Sequence, residues 1–281
     1  MALDQQNIEE EKEMSFVDHL EELRWHIVRS VAAVAVGFVV AFVFAKWIFD
    51  NIVFAPARPS FITFRLMCKL GEITNSPGLC VTEIPFKVQS RFVTGQFSMQ
   101  FTAAAVIGLI LAFPYVFWEL WRFIRPGLYT TERQGSRGAV AAVTMLFLSG
   151  VSFGYFILCP MSMYFFASYS ISDMIVNEFD ITSYVSTIVA LVFGSGVLFQ
   201  LPVAIFFLTR IGLVNPPFLR TYRKHAVIII LILAAIITPP DVISQIIITV
   251  PLWILYEISI FISAREVRRK KRIEALEHLQ Q

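Results

Sequence analysis

Charged side chains are scarce in this sequence, and six long stretches contain none at all. Asp, Glu, Lys and Arg make up 16% of the 281 residues, against 57% hydrophobic residues, and the mean hydropathy is +0.68. A soluble core cannot bury that much apolar surface, so the composition excludes an ordinary soluble domain and indicates a protein of the lipid bilayer. The uncharged stretches are residues 30–45, 92–118, 138–172, 181–209, 226–240 and 242–256.

Motifs of nucleotide, metal and redox chemistry are also missing. The sequence has no GxxxxGK[ST] loop, no HExxH and no CxxC pair, so we expect no enzyme, no metal site and no cofactor. The uncharged stretches hold no carboxylate, and the four His residues lie outside them. Because proton-coupled carriers usually place such groups at membrane depth, this pattern disfavours a small-solute transporter.

The last two uncharged stretches are short for membrane spans. A helix needs about 20 apolar residues to cross a hydrocarbon core of about 30 Å, and each of these stretches has 15 uncharged residues. They fit either two short spans that form a hairpin or one span broken at residues 238–241.

Basic residues favour the hairpin. The N-terminal segment carries three Lys or Arg residues, the second and fourth predicted loops carry four each, and the tail carries six. The remaining six lie in the long first loop, and the third loop has none. Because Lys and Arg in short loops stay in the cytoplasm, the fourth loop and the tail must be separated by an even number of crossings.

These observations predict an all-α membrane protein of about six transmembrane helices, with both termini cytoplasmic and the last two spans short. The chain is expected to be one membrane domain, residues 1–281. An amphipathic cytoplasmic segment (1–26) precedes the six-span bundle (27–264), and a basic tail (265–281) follows it. Proline bends helices, and its recurrence in the spans favours a curved, cup-like bundle. The prolines are Pro114, Pro160, Pro202, Pro239, Pro240 and Pro251.

Cysteine is rare, with three residues in all, which excludes a disulfide scaffold. Cys68 and Cys80 share the first loop, which is predicted to be exported and therefore exposed to oxidation. A disulfide between them and two free thiols are equally compatible with the sequence.

Two segments on the predicted cytoplasmic side carry motifs. One is H-L-E-E-L-R at residues 19–24, and the other is F-I-R-P-G-L-Y-T-T-E-R at residues 123–133. Both resemble the TatC family, the multi-span receptor subunit of the twin-arginine protein translocase. L-P-V-A at 201–204 and T-P-P-D-V-I-S-Q at 238–245 match it as well. The resemblance covers residues 19–264 and departs at Gln200, where many members carry Glu.

The resemblance implies a receptor for twin-arginine signal peptides of folded cargo, acting in the cytoplasmic membrane and driven by the proton-motive force. Glu22 and Glu132 match the acidic residues credited with reading the arginines. The surrounding motif residues are expected to complete this site: His19, Arg24, Phe123, Pro126, Tyr129 and Arg133. A plainer interpretation is that both glutamates pair with neighbouring arginines on a solvated surface.

Partner subunits are the second implication of the resemblance. Single-span TatA and TatB, or one TatA-like subunit serving both roles, are expected to dock at Gln200, Thr238, Asp241 and Gln245. Packing within the chain is the alternative for Gln200. Self-association and contact with the lipid bilayer are also expected, whereas the basic tail indicates topology and anionic lipid rather than nucleic acid. A small-solute transporter and a membrane scaffold or insertase are the competing functions.

Overall fold

The computed structural model describes residues 16–76, 78, 80–124, 138–172, 174–238 and 242–278. Within them, five helical segments are long and apolar enough to cross a membrane: Leu20–Val43, Gly95–Ile124, Val140–Ser168, Ile181–Arg210 and Ser244–Lys270. Each overlaps one predicted stretch, and the predicted all-α membrane fold is confirmed. The fifth predicted span is a helix of 15 residues, Arg223–Ile237, so the count of six crossings stays a prediction, as does the cytoplasmic position of the termini.

The elements follow one another in a simple order. The helices are α1 Phe16–Val43, α2 Ala45–Ile48, α3 Ile62–Ile73, α4 Gly95–Ile124, α5 Ala139–Phe153, α6 Cys159–Ser168, α7 Ile181–Leu198, α8 Leu201–Arg210, α9 Pro216–Thr221, α10 Arg223–Ile237 and α11 Val242–His278. Two π-helical turns, Phe49–Val53 and Gly154–Leu158, and a 3-10 turn, Ala55–Ala57, connect helices. The strands β1 Lys87–Gln89 and β2 Glu178–Asp180 pair in parallel.

Helices α1 and α4 form the most extensive helix pair and run antiparallel. They approach closely where Gly37 meets Gly108, since a Cβ added at Gly108 would lie 2.5 Å from the backbone nitrogen of Phe38. Small residues permit such close approach of membrane helices. Helix α1 also runs without a break past residue 26, so the described part of the predicted amphipathic segment, residues 16–26, shares one helix with the first span.

Two predicted spans are interrupted rather than straight. In the third, a π-helical turn separates α5 from α6, and Pro160 follows it at the start of α6. In the fourth, α7 ends before Gln200 and α8 begins with Pro202 in its first turn. The third span also contains a GxSxG pattern, at residues 150–154. In α/β hydrolases this pattern marks a nucleophile only on a sharp turn between a strand and a helix. Its helical position here therefore does not indicate a hydrolase.

Helices α10 and α11 fold back on each other as an antiparallel hairpin. Arg223 at the start of α10 pairs with Glu257 on α11 at 2.7 Å, and the Gln245 amide donates to the carbonyl of Leu231 at 3.3 Å. The prediction of a short last span is wrong, because α11 extends over 37 residues. Its candidate span, Ser244–Lys270, has 27 residues, because the apolar sequence resumes after Glu257. Arg, Lys and Glu favour helix in water, so the helix continues into the basic tail.

The two ends of the bundle differ in character. The basic end holds the start of α1, the end of α4 and the start of α10. The strand end holds β1, β2 and α3. At the strand end, the hydroxyl of Tyr184 donates to the carbonyl of Val53 at 2.9 Å and ties the first loop to α7. Cys68 and Cys80 are joined by a disulfide at this end.

Candidate functional site

Glu22 lies at the basic end, where α1 leaves the bundle. Its side chain is 38% exposed, and it opens into a surface depression of about 430 Å³ between α1 and α4. The apolar residues Leu20 and Ile27 on the same helix are exposed on the outside of the bundle. The depression is lined by Glu22, Trp25, His26, Arg29 and Arg122.

A hydrogen-bonded chain of three side chains adjoins this depression, which His26 lines. Nδ1 of His26 donates to Oε2 of Glu119 at 2.5 Å, and the Tyr115 hydroxyl donates to Oε1 at 2.9 Å. Glu119 is 1% exposed and His26 is 7% exposed. The other ring nitrogen of His26, Nε2, lies 3.9 Å from Oε1 of Glu22. The exposed carboxylate of Glu22 is therefore adjacent to a buried His–Glu pair.

This pair corrects the expectation that the spans carry no carboxylate or histidine. His26 and Glu119 both lie inside helical segments long enough to span a membrane. The second span was predicted from the charge-free stretch that ends at residue 118. Glu119 is the next residue, so it was not counted as part of the span. A usable signal was the spacing of four residues between Glu22 and His26, and between Tyr115 and Glu119, which places each pair on one helix face.

Arginine side chains surround the depression as well. Arg29 and Arg122 line it, and the guanidinium of Arg122 lies 5.4 Å from the ring centroid of Trp118. Arg24, a predicted site residue, lies over the ring of Trp25 at 5.7 Å. The described part of the depression thus contains one open carboxylate and two cationic groups, so a cationic ligand needs more negative charge than Glu22 alone supplies.

The structure covers only part of the predicted signal-peptide site. Phe123 contacts the His26 ring edge-on, with 6.0 Å between ring centroids, so it belongs to the same cluster. Four further predicted residues, Pro126, Tyr129, Glu132 and Arg133, lie outside the described residues, as does the side chain of His19 on α1.

The residues predicted to dock partner helices lie in the C-terminal half of the chain. The Gln200 amide donates to the carbonyl of Val143 at 3.3 Å, while its Oε1 is buried and accepts no hydrogen bond from the described residues. The Thr238 hydroxyl is buried and donates to the carbonyl of Ala234. Gln245 contacts Leu231, as described above, and Asp241 lies outside the described residues.

A small cavity lies in the bundle interior between α4, α7 and the first π-helical turn. Its volume is about 70 Å³, and its lining consists of aliphatic side chains and Tyr155. A polar solute would find few hydrogen-bonding groups there, so the cavity resembles a packing defect rather than a transport site.

The chain matches known proteins along nearly its whole length. Residues 18–251 match the family of the Sec-independent protein translocase protein (TatC). The TatC protein of Blattabacterium sp. subsp. Periplaneta americana is 43% identical over 263 residues, which cover 93% of this chain and 99% of the relative. TatCy of Bacillus subtilis is 36% identical over 264 residues, with 94% of each chain covered.

Solved structures agree with this assignment. A crystal structure of the twin arginine translocase receptor TatC in DDM superposes with a TM-score of 0.68 at 28% identity, over 87% of this chain and 99% of that one. The chain therefore belongs to the TatC family and is a multi-pass membrane component of the Sec-independent protein translocase.

Proposed function

We propose that this chain is the receptor for twin-arginine signal peptides and the core subunit of a translocase that exports folded proteins. It binds the signal at the basic end of α1 and α4, in a cytoplasmic membrane whose proton-motive force drives transport. The observation that carries the proposal is the open carboxylate of Glu22 at the depression between these helices, in a chain of the TatC family. The chain acts in transport and not as an enzyme.

Carboxylates are suited to reading arginine rather than lysine. Guanidinium is a planar fork of donors that pairs with a carboxylate through two parallel hydrogen bonds, whereas ammonium is a compact point charge. Two arginines require two carboxylates, and Glu132 is the second one implied by the motif. Placing Glu22 and Glu132 on separate segments would let each hold one arginine.

Arg29 and Arg122 oppose the binding of a cationic peptide at this place. The carboxylate pair must overcome their repulsion, and a charge-assisted hydrogen bond contributes only about 1.5–3 kcal/mol. We therefore propose that the apolar segment of the signal also binds, along the exposed apolar surface of α1 that includes Val36 and Val40. Burial of apolar area in the complex would supply the rest of the affinity.

Binding of a fluorescent twin-arginine peptide to the detergent-purified protein tests this proposal. We expect Glu22→Gln to weaken binding about ten- to hundredfold, the loss of one charge-assisted contact. Glu21→Gln is the matched control, because Glu21 is exposed on the same helix and should leave affinity unchanged. A twin-lysine peptide should bind the wild type as weakly as the twin-arginine peptide binds Glu22→Gln. Equal affinity in all cases would contradict an arginine-reading site.

We also propose that TatA- and TatB-like helices dock near Gln200, Thr238, Asp241 and Gln245. The supporting observation is that Oε1 of Gln200 accepts no hydrogen bond from the described residues. Because this atom is buried, a partner helix must displace the side chains that cover it before it donates to Oε1. Replacing Gln200 and Gln245 by Leu should reduce the co-purification of both partners. Undiminished co-purification would leave these residues with a role inside the chain only.

The competing functions predict different outcomes in the same preparations. A small-solute carrier would produce substrate-dependent flux in vesicles containing this chain alone. A scaffold or insertase that accepts any apolar helix would bind the twin-lysine and twin-arginine peptides equally.

A further inference from the structure

Helix α3 carries an apolar stripe that no described part of the chain covers. The stripe consists of Ile62, Leu66, Leu70 and Ile73, whose exposed fractions are 45%, 55%, 55% and 78%. At 100° per residue these four side chains fall within an arc of about 80°. The helix instead rests on the bundle through Phe64 and Gly71, which are buried on the other side.

Basic residues border this stripe on one side. Arg65 and Lys69 are both exposed. At 100° per residue they lie about 60° and 20° from Ile62, on the side of the helix away from Leu70. An apolar face with cations along its margin is typical of helices that lie in the interface of a membrane, where the cations contact lipid phosphate.

Helix α3 lies beside a membrane span and not beyond its end. The Thr63 hydroxyl donates to the carbonyl of Phe156, and the ring of Phe61 stacks on that of Phe156. Phe156 lies 16 residues from the start of the third span at Val140, a rise of about 24 Å, which is close to the far edge of a hydrocarbon core of about 30 Å. Phe156 and Ile157 are themselves exposed on the span, so the stripe of α3 continues a surface that faces lipid.

The disulfide leaves the stripe open. Cys68 lies about 160° around the helix from the centre of the stripe, and its bond to Cys80 fastens the returning chain to that far side. Cys80 is therefore held away from the apolar face, and no described residue of the returning segment covers that face.

We propose that α3 is an interfacial helix that lies in the lipid headgroup region at the strand end of the bundle, with its apolar stripe in the acyl chains and Arg65 and Lys69 at the phosphates. The occupant of the stripe is phospholipid. This anchor fixes the depth of the strand end against the bilayer, and it does not depend on how signal peptides bind.

Photocrosslinking from the stripe tests the proposal without disturbing packed residues. p-Benzoylphenylalanine is introduced singly at Leu66 or Ile73, and the protein is reconstituted into vesicles of phosphatidylethanolamine and phosphatidylglycerol. Ile157, exposed on the third span, is the matched position for lipid contact. Glu72, exposed on the basic flank of α3, is the position for water contact. After irradiation, the adducts are identified by the mass of the modified peptide.

We expect phospholipid adducts at Leu66 and Ile73 in a yield similar to that at Ile157 and several times that at Glu72. Lipid adducts at Ile157 with none at Leu66 or Ile73 would overturn the proposal. A covalent dimer would also overturn it, because a second copy would then cover the stripe. The same probes in native membranes extend the test, where an adduct with another polypeptide would assign the stripe to a partner protein.

Discussion

At the scale of single residues, Glu119 is held by side chains from two helices. His26 on α1 and Tyr115 on α4 each hydrogen-bond one of its carboxylate oxygens. A buried carboxylate is costly to desolvate, and such hydrogen bonds offset that cost. The pair thereby fixes α1 against α4 directly beneath Glu22.

Glu119→Ala should destabilise the protein, because His26 would then be buried without its partner. The expected loss is about 1–3 kcal/mol in the free energy of unfolding, measured as a lower midpoint of thermal unfolding in detergent. Glu119→Gln should cost less, since its side-chain carbonyl still accepts a hydrogen bond. Glu21→Ala, at an exposed position on α1, serves as the control, and an equal midpoint in all three variants would contradict the role of the pair.

The sequence predicted part of this site for a definite reason. Glu22 could be named because the H-L-E-E-L-R motif that contains it resembles the TatC family. The contact of His26 with Glu119 joins residues 93 positions apart and depends on how α1 and α4 are rotated about their axes. Hydropathy alone does not determine that rotation.

At the scale of elements, the crossing of α1 and α4 depends on two glycines. Gly108→Ala should lower the thermal midpoint, because the new methyl group would overlap the backbone at Gly37 and Phe38 and force the helices apart. Overpacking of this kind costs about 1–3 kcal/mol.

Gly138→Ala is the matched control for this crossing, since nothing lies within 4 Å of a Cβ added there. If both variants unfold at the wild-type temperature, the close contact between α1 and α4 does not contribute to stability.

The connection between β2 and α7 should depend on pH. Hydrogen bonds from the Thr182 hydroxyl, the backbone N–H of Arg91 and the backbone N–H of Thr182 hold the pKa of Asp180 below its ordinary value of 3.8. A lowered folded-state pKa means that ionised Asp180 stabilises the fold above about pH 4 and that this contribution is lost as pH falls through the folded-state pKa.

Thermal unfolding from neutral to acidic pH measures this effect. The wild type should be more stable than Asp180→Asn near neutral pH, and the difference should shrink in acid. A constant difference across the range would show that ionisation of Asp180 does not matter.

Helices were easier to predict than their irregularities. Charge-free stretches located the long helices because charged side chains are costly in the hydrocarbon core, and a segment there satisfies its backbone hydrogen bonds as a helix. The π-helical turns, the break before Gln200 and the pairing of β1 with β2 arise from packing between distant segments, to which the local pattern is insensitive. The length of α11 was missed because apolar content marks the membrane part of a helix and not its end.

At the scale of the whole molecule, the disulfide indicates which end of the bundle faces the exported, oxidising side of the membrane. A bond between Cys68 and Cys80 persists in an oxidising compartment, and Cys159 is buried and free. In intact cells, a membrane-impermeant maleimide should label Cys68 and Cys80 only after reduction from outside. A Cys68→Ser/Cys80→Ser variant should stay unlabelled, and labelling that requires opened membranes would reverse the predicted topology.

The central claim is that the end of the bundle holding Glu22 reads paired arginines. A twin-arginine signal peptide with a photoreactive residue beside the arginine pair measures this most directly, with the adducts mapped by mass spectrometry on the detergent-purified chain. We predict adducts on α1 within residues 22–29, on the last two turns of α4 and on the motif residues 125–133, suppressed by excess twin-arginine peptide and not by twin-lysine peptide. Adducts elsewhere on the chain, or equal suppression by both peptides, would contradict the claim.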